Sequence, residues 1–262
     1  GSMNNKGKTS ISPNLIALLA PISWSFIPIS MHFLDDVANI LIFTIALAGF
    51  VILMSGYFLI SKYRLKKLFQ QPKQYYLLGI FGILGFHIFY FMALKAAPKI
   101  PVLLILNTAS ILNLIYGAIL LKNKITKSHI IAITLNFLAV IIIIYEPGAF
   151  TNFNINYYWG FALAFLAANI WAIYSVLSRK YQAAPAPAIS IIAAYCIIIN
   201  LIIMASISDF SYDISISQIF LCLLLGCGPI GLSFIAWNYG MKYGDINKIS
   251  ILAYINPLLA IC

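Results

Sequence analysis

Nine apolar stretches, most of them about twenty residues long, follow one another from Pro13 to Cys262 with only short polar connections between them. Twenty residues of α-helix rise about 30 Å, the thickness of the hydrocarbon core of a bilayer. A backbone in that medium finds no water to bind, so each stretch must satisfy its own N–H and C=O groups as a helix. The stretches read as Pro13–Phe33, Ala38–Ile60, Tyr75–Leu94, Ile100–Leu121, His129–Tyr145, Tyr157–Ser178, Pro187–Ile207, Gln218–Met241 and Asn247–Cys262. With 63% of residues hydrophobic and 8% charged, a water-soluble fold would carry far more apolar surface than its core could take in. The fold class that follows is an all-α polytopic membrane protein.

The charges sort by side. If successive stretches cross in alternate directions, the N-terminal tail and every second connection hold Lys6, Lys8, Lys62, Arg64, Lys66, Lys67, Lys73, Lys122, Lys124, Lys127, Arg179, Lys180, Lys242 and Lys248. The opposite side holds only Lys95 and Lys99, together with Asp35, Asp36, Glu146, Asp209 and Asp213; Asp245 stays with the lysines. An excess of Lys and Arg marks the cytoplasmic side. The N-terminus is therefore expected in the cytoplasm, and the protein in a bacterial inner (plasma) membrane. The net charge of +10 is then a topology signal: the expected partners are the lipid bilayer and a small-molecule substrate, with no nucleic acid. Cys196, Cys222, Cys227 and Cys262 sit in apolar stretches without metal-ligand spacing, and no metal or cofactor is expected. Residues 1–12 read as a tag remnant, Gly1–Met3, followed by a cytoplasmic tail.

A faint repeat organises the stretches. Laying "FYFMALKAAP" (Phe89–Pro98) over "AWNYGMKYGD" (Ala236–Asp245) puts Tyr90 on Trp237, Leu94 on Met241, Lys95 on Lys242 and Ala97 on Gly244, at an offset of 147 residues. The same offset puts Trp24 on Trp171 and Ala20 on Ala167. It spans five stretches, an odd number, so the two halves cross the membrane in opposite senses. That is the inverted-repeat plan of secondary transporters, whose site lies near the midplane between the repeats. The first five-helix repeat is expected at 13–146 and the second, inverted, at 157–262. In this register the fifth stretch has no counterpart before Cys262. The ninth span is therefore expected to be incomplete, the tenth absent, and the second repeat truncated.

No Asp, Glu, Lys or Arg falls in the middle of a stretch, where a charge costs at least about 2.5–3.5 kcal/mol. This argues against a carboxylate proton relay and against phosphate-bearing solutes, which call for interior Lys or Arg. No GxxxxGK[ST] loop is present, so transport would draw on a gradient of substrate or protons. His32, His87 and His129 lie on different stretches, and no nucleophile, metal set or carboxylate pair points to an enzyme.

The candidate substrate-binding residues are aromatic or neutral-polar. Trp24 lies between Pro21 and Pro28, too deep for an interfacial anchor, and Tyr90 shares the face of His87 at i+3. Trp171 shares a face with Tyr174, Ser233 lies four residues before Trp237, and Tyr254 is paired by the repeat with Asn107. Each also has a plain reading as helix–helix packing, and His87 as an imidazole bonded to a neighbouring helix. Convergence on stretches one, three, six, eight and nine favours a cavity wall. Such a wall suits a neutral or zwitterionic solute with a flat apolar part. Of Asn107, Asn113, Asn136, Asn169 and Asn200, only Asn107 is expected to face the cavity.

The sequence resembles the drug/metabolite transporter superfamily, in particular its ten-helix EamA-type members with two inverted five-helix repeats. The stretches "LAFLAANIWAIYSVLSRKY" (Leu163–Tyr181) and "AWNYGMKYGDINKISILAYINPLLA" (Ala236–Ala260) are similar to those of bacterial inner-membrane aromatic amino-acid exporters. The resemblance and the repeat imply a secondary transporter of small organic metabolites, foremost amino acids. It would work as exporter or exchanger by alternating access; the alternative solute is S-adenosylmethionine or another nucleoside-type metabolite. Two departures fall in the expected cavity. The family's Tyr–Pro stretch in the fourth helix is replaced by "LNTAS" (Leu106–Ser110), and its third-helix carboxylate by His87 or a near neighbour.

Overall fold

The structure, a computed structural model, describes residues 11–145 and 155–253. Among them there is no strand. The principal helical segments are α1 (Pro13–His32), α2 (Asn39–Ser61), α3 (Lys73–Ala96), α4 (Lys99–Leu121), α5 (Lys127–Tyr145), α6 (Asn156–Tyr181), α7 (Ala186–Ser206), α8 (Ile216–Tyr243) and α9 (Ile246–Leu252). All but α5 and α9 are, among the described residues, helices long and apolar enough to cross a membrane. Their outer faces expose large apolar side chains such as Ile52, Leu201, Ile202 and Leu224, which lipid accommodates and water does not. The chain is an integral membrane protein. The tag remnant expected at Gly1–Met3, Glu146, and the ninth stretch from Tyr254 onward lie outside the described residues.

Local chemistry sets the helix ends. α2 and α4 stop at Lys62 and Lys122, whose φ values of 51° and 56° reverse the chain and leave an ammonium beside the negative end of each helix dipole. Ser215 and Gln218 form a reciprocal cap at the start of α8. Asp245 opens α9 by accepting hydrogen bonds from the Asn247 and Lys248 N–H groups.

The packing has an internal symmetry. α1 lies against α8 and α3 against α6; α2 lies against the first part of α8, and the start of α3 against α7. α6 lies against α4 and α1 against α9, while α2 pairs with α7 and α4 with α9. Exchanging α1–α4 for α6–α9 returns these same pairs. Helices α1 and α6 run in opposite directions, since the start of α1 and the end of α6 both meet the end of α8. The start of α1 meets the end of α8, where Asn14 Oδ1 accepts from the Asp245 N–H. The start of α6 instead meets the end of α3, where Gly160 lies against Ala97. Two helix irregularities obey the same register: a π-turn at Phe81–Gly85 in α3 and a break in α8 between Cys227 and Leu232. Phe81 and Gly228 stand 147 residues apart, as do Gly85 and Leu232.

The π-turn brings α3 close to α6. A Cβ at Gly82 would stand 2.1 Å from Tyr174 Cγ, so only glycine permits this approach. Gly82→Ala is expected to cost about 1–3 kcal/mol, read as a lower melting temperature in detergent. An unchanged melting temperature would mean that the Gly82–Tyr174 contact gives way without strain.

Candidate functional site

A cavity of about 390 Å³ lies between α1, α3, α4, α6 and α8. Its α4 wall runs from Lys99, exposed at the mouth, to the fully buried Asn113, roughly 21 Å along the helix axis. The mouth is at the acidic end of the bundle. There Asp35 pairs with Lys99 at 3.2 Å and lies 3.6 Å from His32. All three groups are exposed, so the pairing contributes about 0–1 kcal/mol.

The inner wall is aromatic. Trp24 of α1 lies 5.5 Å from Trp171 of α6 and 5.3 Å from Trp237 of α8, centroid to centroid. Phe86 of α3 joins them, 5.1 Å from Trp171 and stacked on Tyr90 at 5.5 Å. Buried indoles seek a partner for their N–H, and here those partners fix the wall. Trp24 Nε1–H donates to Ser233 Oγ at 3.1 Å, and Ser233 in turn donates to the Pro229 carbonyl beside the α8 break. Trp237 Nε1–H donates to Ser175 Oγ at 2.8 Å, and Asn238 donates to the Tyr174 hydroxyl at 3.0 Å.

Of the residues singled out in the sequence, Trp24, His87, Tyr90, Asn107, Trp171 and Trp237 line this cavity. Ser233 and Tyr174 stand behind the wall as hydrogen-bond partners of Trp24 and Asn238. Tyr254 lies outside the described residues. His87 Nδ1 is 2.7 Å from the Ile83 carbonyl. A carbonyl only accepts, so this nitrogen donates into the π-turn of its own helix and not to a neighbouring one. Its ring stacks on Phe43 at 4.2 Å.

Further residues line the cavity that were not among the candidates, Asn113, Phe86 and Phe234 among them. Asn107 was expected to be the only asparagine there, but Asn113 lies deeper on the same wall. α4 turns at Thr108, between its helical parts Lys99–Asn107 and Ala109–Leu121. Phe86 and Phe234 were within reach of the repeat, being the counterparts of Ser233 and His87 at the same offset. Two pairs of counterparts touch: Trp24 with Trp171 at 5.5 Å, and His87 with Phe234 at 5.7 Å. All four of these residues line the cavity.

The opposite, lysine-rich end is closed by polar contacts between the end of α6 and the end of α8. Arg179 Nη1 donates to the carbonyls of Met241 at 3.3 Å and Gly244 at 2.7 Å, and Gln182 Nε2 donates to the Lys242 carbonyl at 2.6 Å. Lys242, which in sequence marks a membrane edge, is only 2% exposed. Its ammonium donates to the Ala184 carbonyl at 3.1 Å and lies over the Tyr75 ring at 5.6 Å. Among the described residues no group of three His, Cys, Asp or Glu side chains is placed to hold a metal ion.

The profile of the EamA-like transporter family matches residues 11–145 and 158–262. The chain belongs to that family. This EamA-like chain is similar to the "Aromatic amino acid exporter YddG" of Ancylobacter novellus, 27% identical over 195 residues, 73% of this chain and 66% of the relative. It is also similar to the "Uncharacterized transporter YyaM" of Bacillus subtilis, 26% identical over 215 residues, 76% of this chain and 66% of the relative. The chain thus spans just under two thirds of the length of these two curated relatives. A solved crystal structure at 24% identity superposes with a TM-score of 0.82 over 95% of this chain and 85% of that one, so the two share the EamA-like fold.

Proposed function

We propose that this EamA-like chain carries small organic solutes across the inner membrane, foremost amino acids with flat apolar side chains. It would do so by alternating access between two inverted five-helix repeats, 13–146 and 157–262. The observation that carries the reading is the wall of Trp24, Trp171 and Trp237, contributed by both halves, in a cavity closed at one end. A flat solute stacked there touches both repeats at once, so its binding energy depends on how the repeats stand relative to each other. The double family match supports the repeats, and the name of the YddG relative supports aromatic amino acids. With the lysine-rich end cytoplasmic, the N-terminus is inside and the cavity faces outward. A carrier, not an enzyme, suits a wall of indoles, a phenol and amides.

The test is counterflow in liposomes containing the full-length protein, loaded in turn with phenylalanine, tryptophan and S-adenosylmethionine. Exchange of the two amino acids is expected. Exchange of S-adenosylmethionine alone would move the reading to nucleoside-type solutes, and no exchange of any solute would overturn it.

A further inference from the structure

Asn107, Ser110 and Asn113 recur at three-residue spacing along α4, and all three line the cavity, whereas the indoles come from α1, α6 and α8. The indole N–H groups of Trp24 and Trp237 have partners, as does Thr108, whose hydroxyl donates to the Ile105 carbonyl; Asn238 Oδ1, behind the wall, has none among the described residues. Asn113 differs. It is fully buried, and among the described residues neither its amide nitrogen nor its oxygen has a hydrogen-bond partner. Asn107 Nδ2 is in the same position. Buried amides without partners are costly and uncommon in folded proteins, and these line a cavity with room for a ligand.

We infer that Asn107, Ser110 and Asn113 form a polar subsite for the zwitterionic end of the solute, whose flat end lies on the tryptophan wall. The inference rests on the amino-acid reading above and adds which wall takes which end. A primary amide presents two N–H donors and a carbonyl acceptor. Asn107 and Asn113 can thus donate to a carboxylate, while Asn113 Oδ1 and Ser110 Oγ accept from an ammonium. The cavity is amphipathic across its width, and its complement is a solute with a charged-but-neutral head close to an aromatic ring.

Binding of L-phenylalanine and of indole to the purified full-length protein separates the two walls. Asn113→Leu is expected to weaken L-phenylalanine at least about tenfold, the worth of one hydrogen bond to a charged group. Indole affinity should be unchanged and the melting temperature equal or higher, because a partnerless buried amide has gone. Should Asn113→Leu not fold, Asn113→Thr and Asn107→Leu are read the same way. Equal losses for both probes would make α4 a packing element and overturn the inference, as would no loss for either. A wild-type protein that exchanges phenylalanine while Asn113→Leu binds it normally removes only the subsite. A wild-type protein that binds indole but no amino acid removes the amino-acid reading itself.

Discussion

Trp171→Ala is expected to weaken solute binding by about 2–4 kcal/mol, roughly 30- to 1000-fold. Trp171 is the hub of the wall. It is 5% exposed and lies within 5.1–6.4 Å of Trp24, Phe86, Tyr174, Phe234 and Trp237, rings from four different helices. Truncation removes a stacking face and also lets the rings of α1 and α8 lean into the space it leaves. The same change costs stability, about 3–5 kcal/mol for a buried Trp, so affinity and melting temperature are measured together. Trp171→Phe keeps a flat ring and is expected to restore most of the stability and part of the affinity. If Trp171→Ala lowered the melting temperature yet bound phenylalanine as the wild type does, the ring would be packing and not a substrate surface. Trp24→Ala should behave similarly, with a further loss because Ser233 Oγ then accepts no N–H.

Much of the fold could be read directly because lipid forces the issue: a backbone without water becomes a helix, and its length is set by the bilayer. Where lysines and aspartates fall gives an expected sidedness. The deep tryptophans stood out for a similar reason, since Trp24 and Trp171 lie far from the interface where such residues anchor. The inward face of each helix was harder to read. In water, a polar stripe marks the outside of a helix. In lipid both faces are apolar, so periodicity does not tell cavity from bilayer. Asn113 illustrates this: its sequence context matches that of Asn136 and Asn200, which are buried away from the cavity. Only the course of α4 past Thr108 and its place beside α6 bring Asn113 to the cavity. Lys242 shows the same limit at the membrane edge. Its burial depends on Ala184 and Tyr75, distant in sequence, and no local pattern announces that contact. Phe86 and Phe234, by contrast, were recoverable from the offset alone.

Replacing Arg179 and Gln182 together by alanine is expected to release the lysine-rich end. The last carbonyls of a helix have no partners within it, and at the end of α8 those of Met241, Lys242 and Gly244 are met from α6 by these two side chains. A guanidinium there also faces the negative end of the α8 dipole. Such a closure is polar, so on opening the carbonyls can bind water instead, and the cost of switching stays small. That suits an end that must open and shut. Losing three hydrogen bonds, two of them charge-assisted, shifts the balance by about 2–4 kcal/mol, roughly a 30- to 1000-fold change in the open population. Ser178, 4% exposed behind the closure, reports on it. In protein whose four native cysteines have been replaced, Ser178→Cys should react at least about tenfold faster with a membrane-impermeant maleimide in the double variant. Unchanged labelling would show that the apolar contacts of α6 with α8 hold that end without the latch. At the acidic end, His32 and Asp35 occupy the registers of Arg179 and Gln182. There Asp35 pairs with Lys99 at the start of α4. His32→Ala with Asp35→Ala should therefore leave labelling at Ser178→Cys unchanged, since Asp35 and Ser178 lie at opposite ends of the bundle.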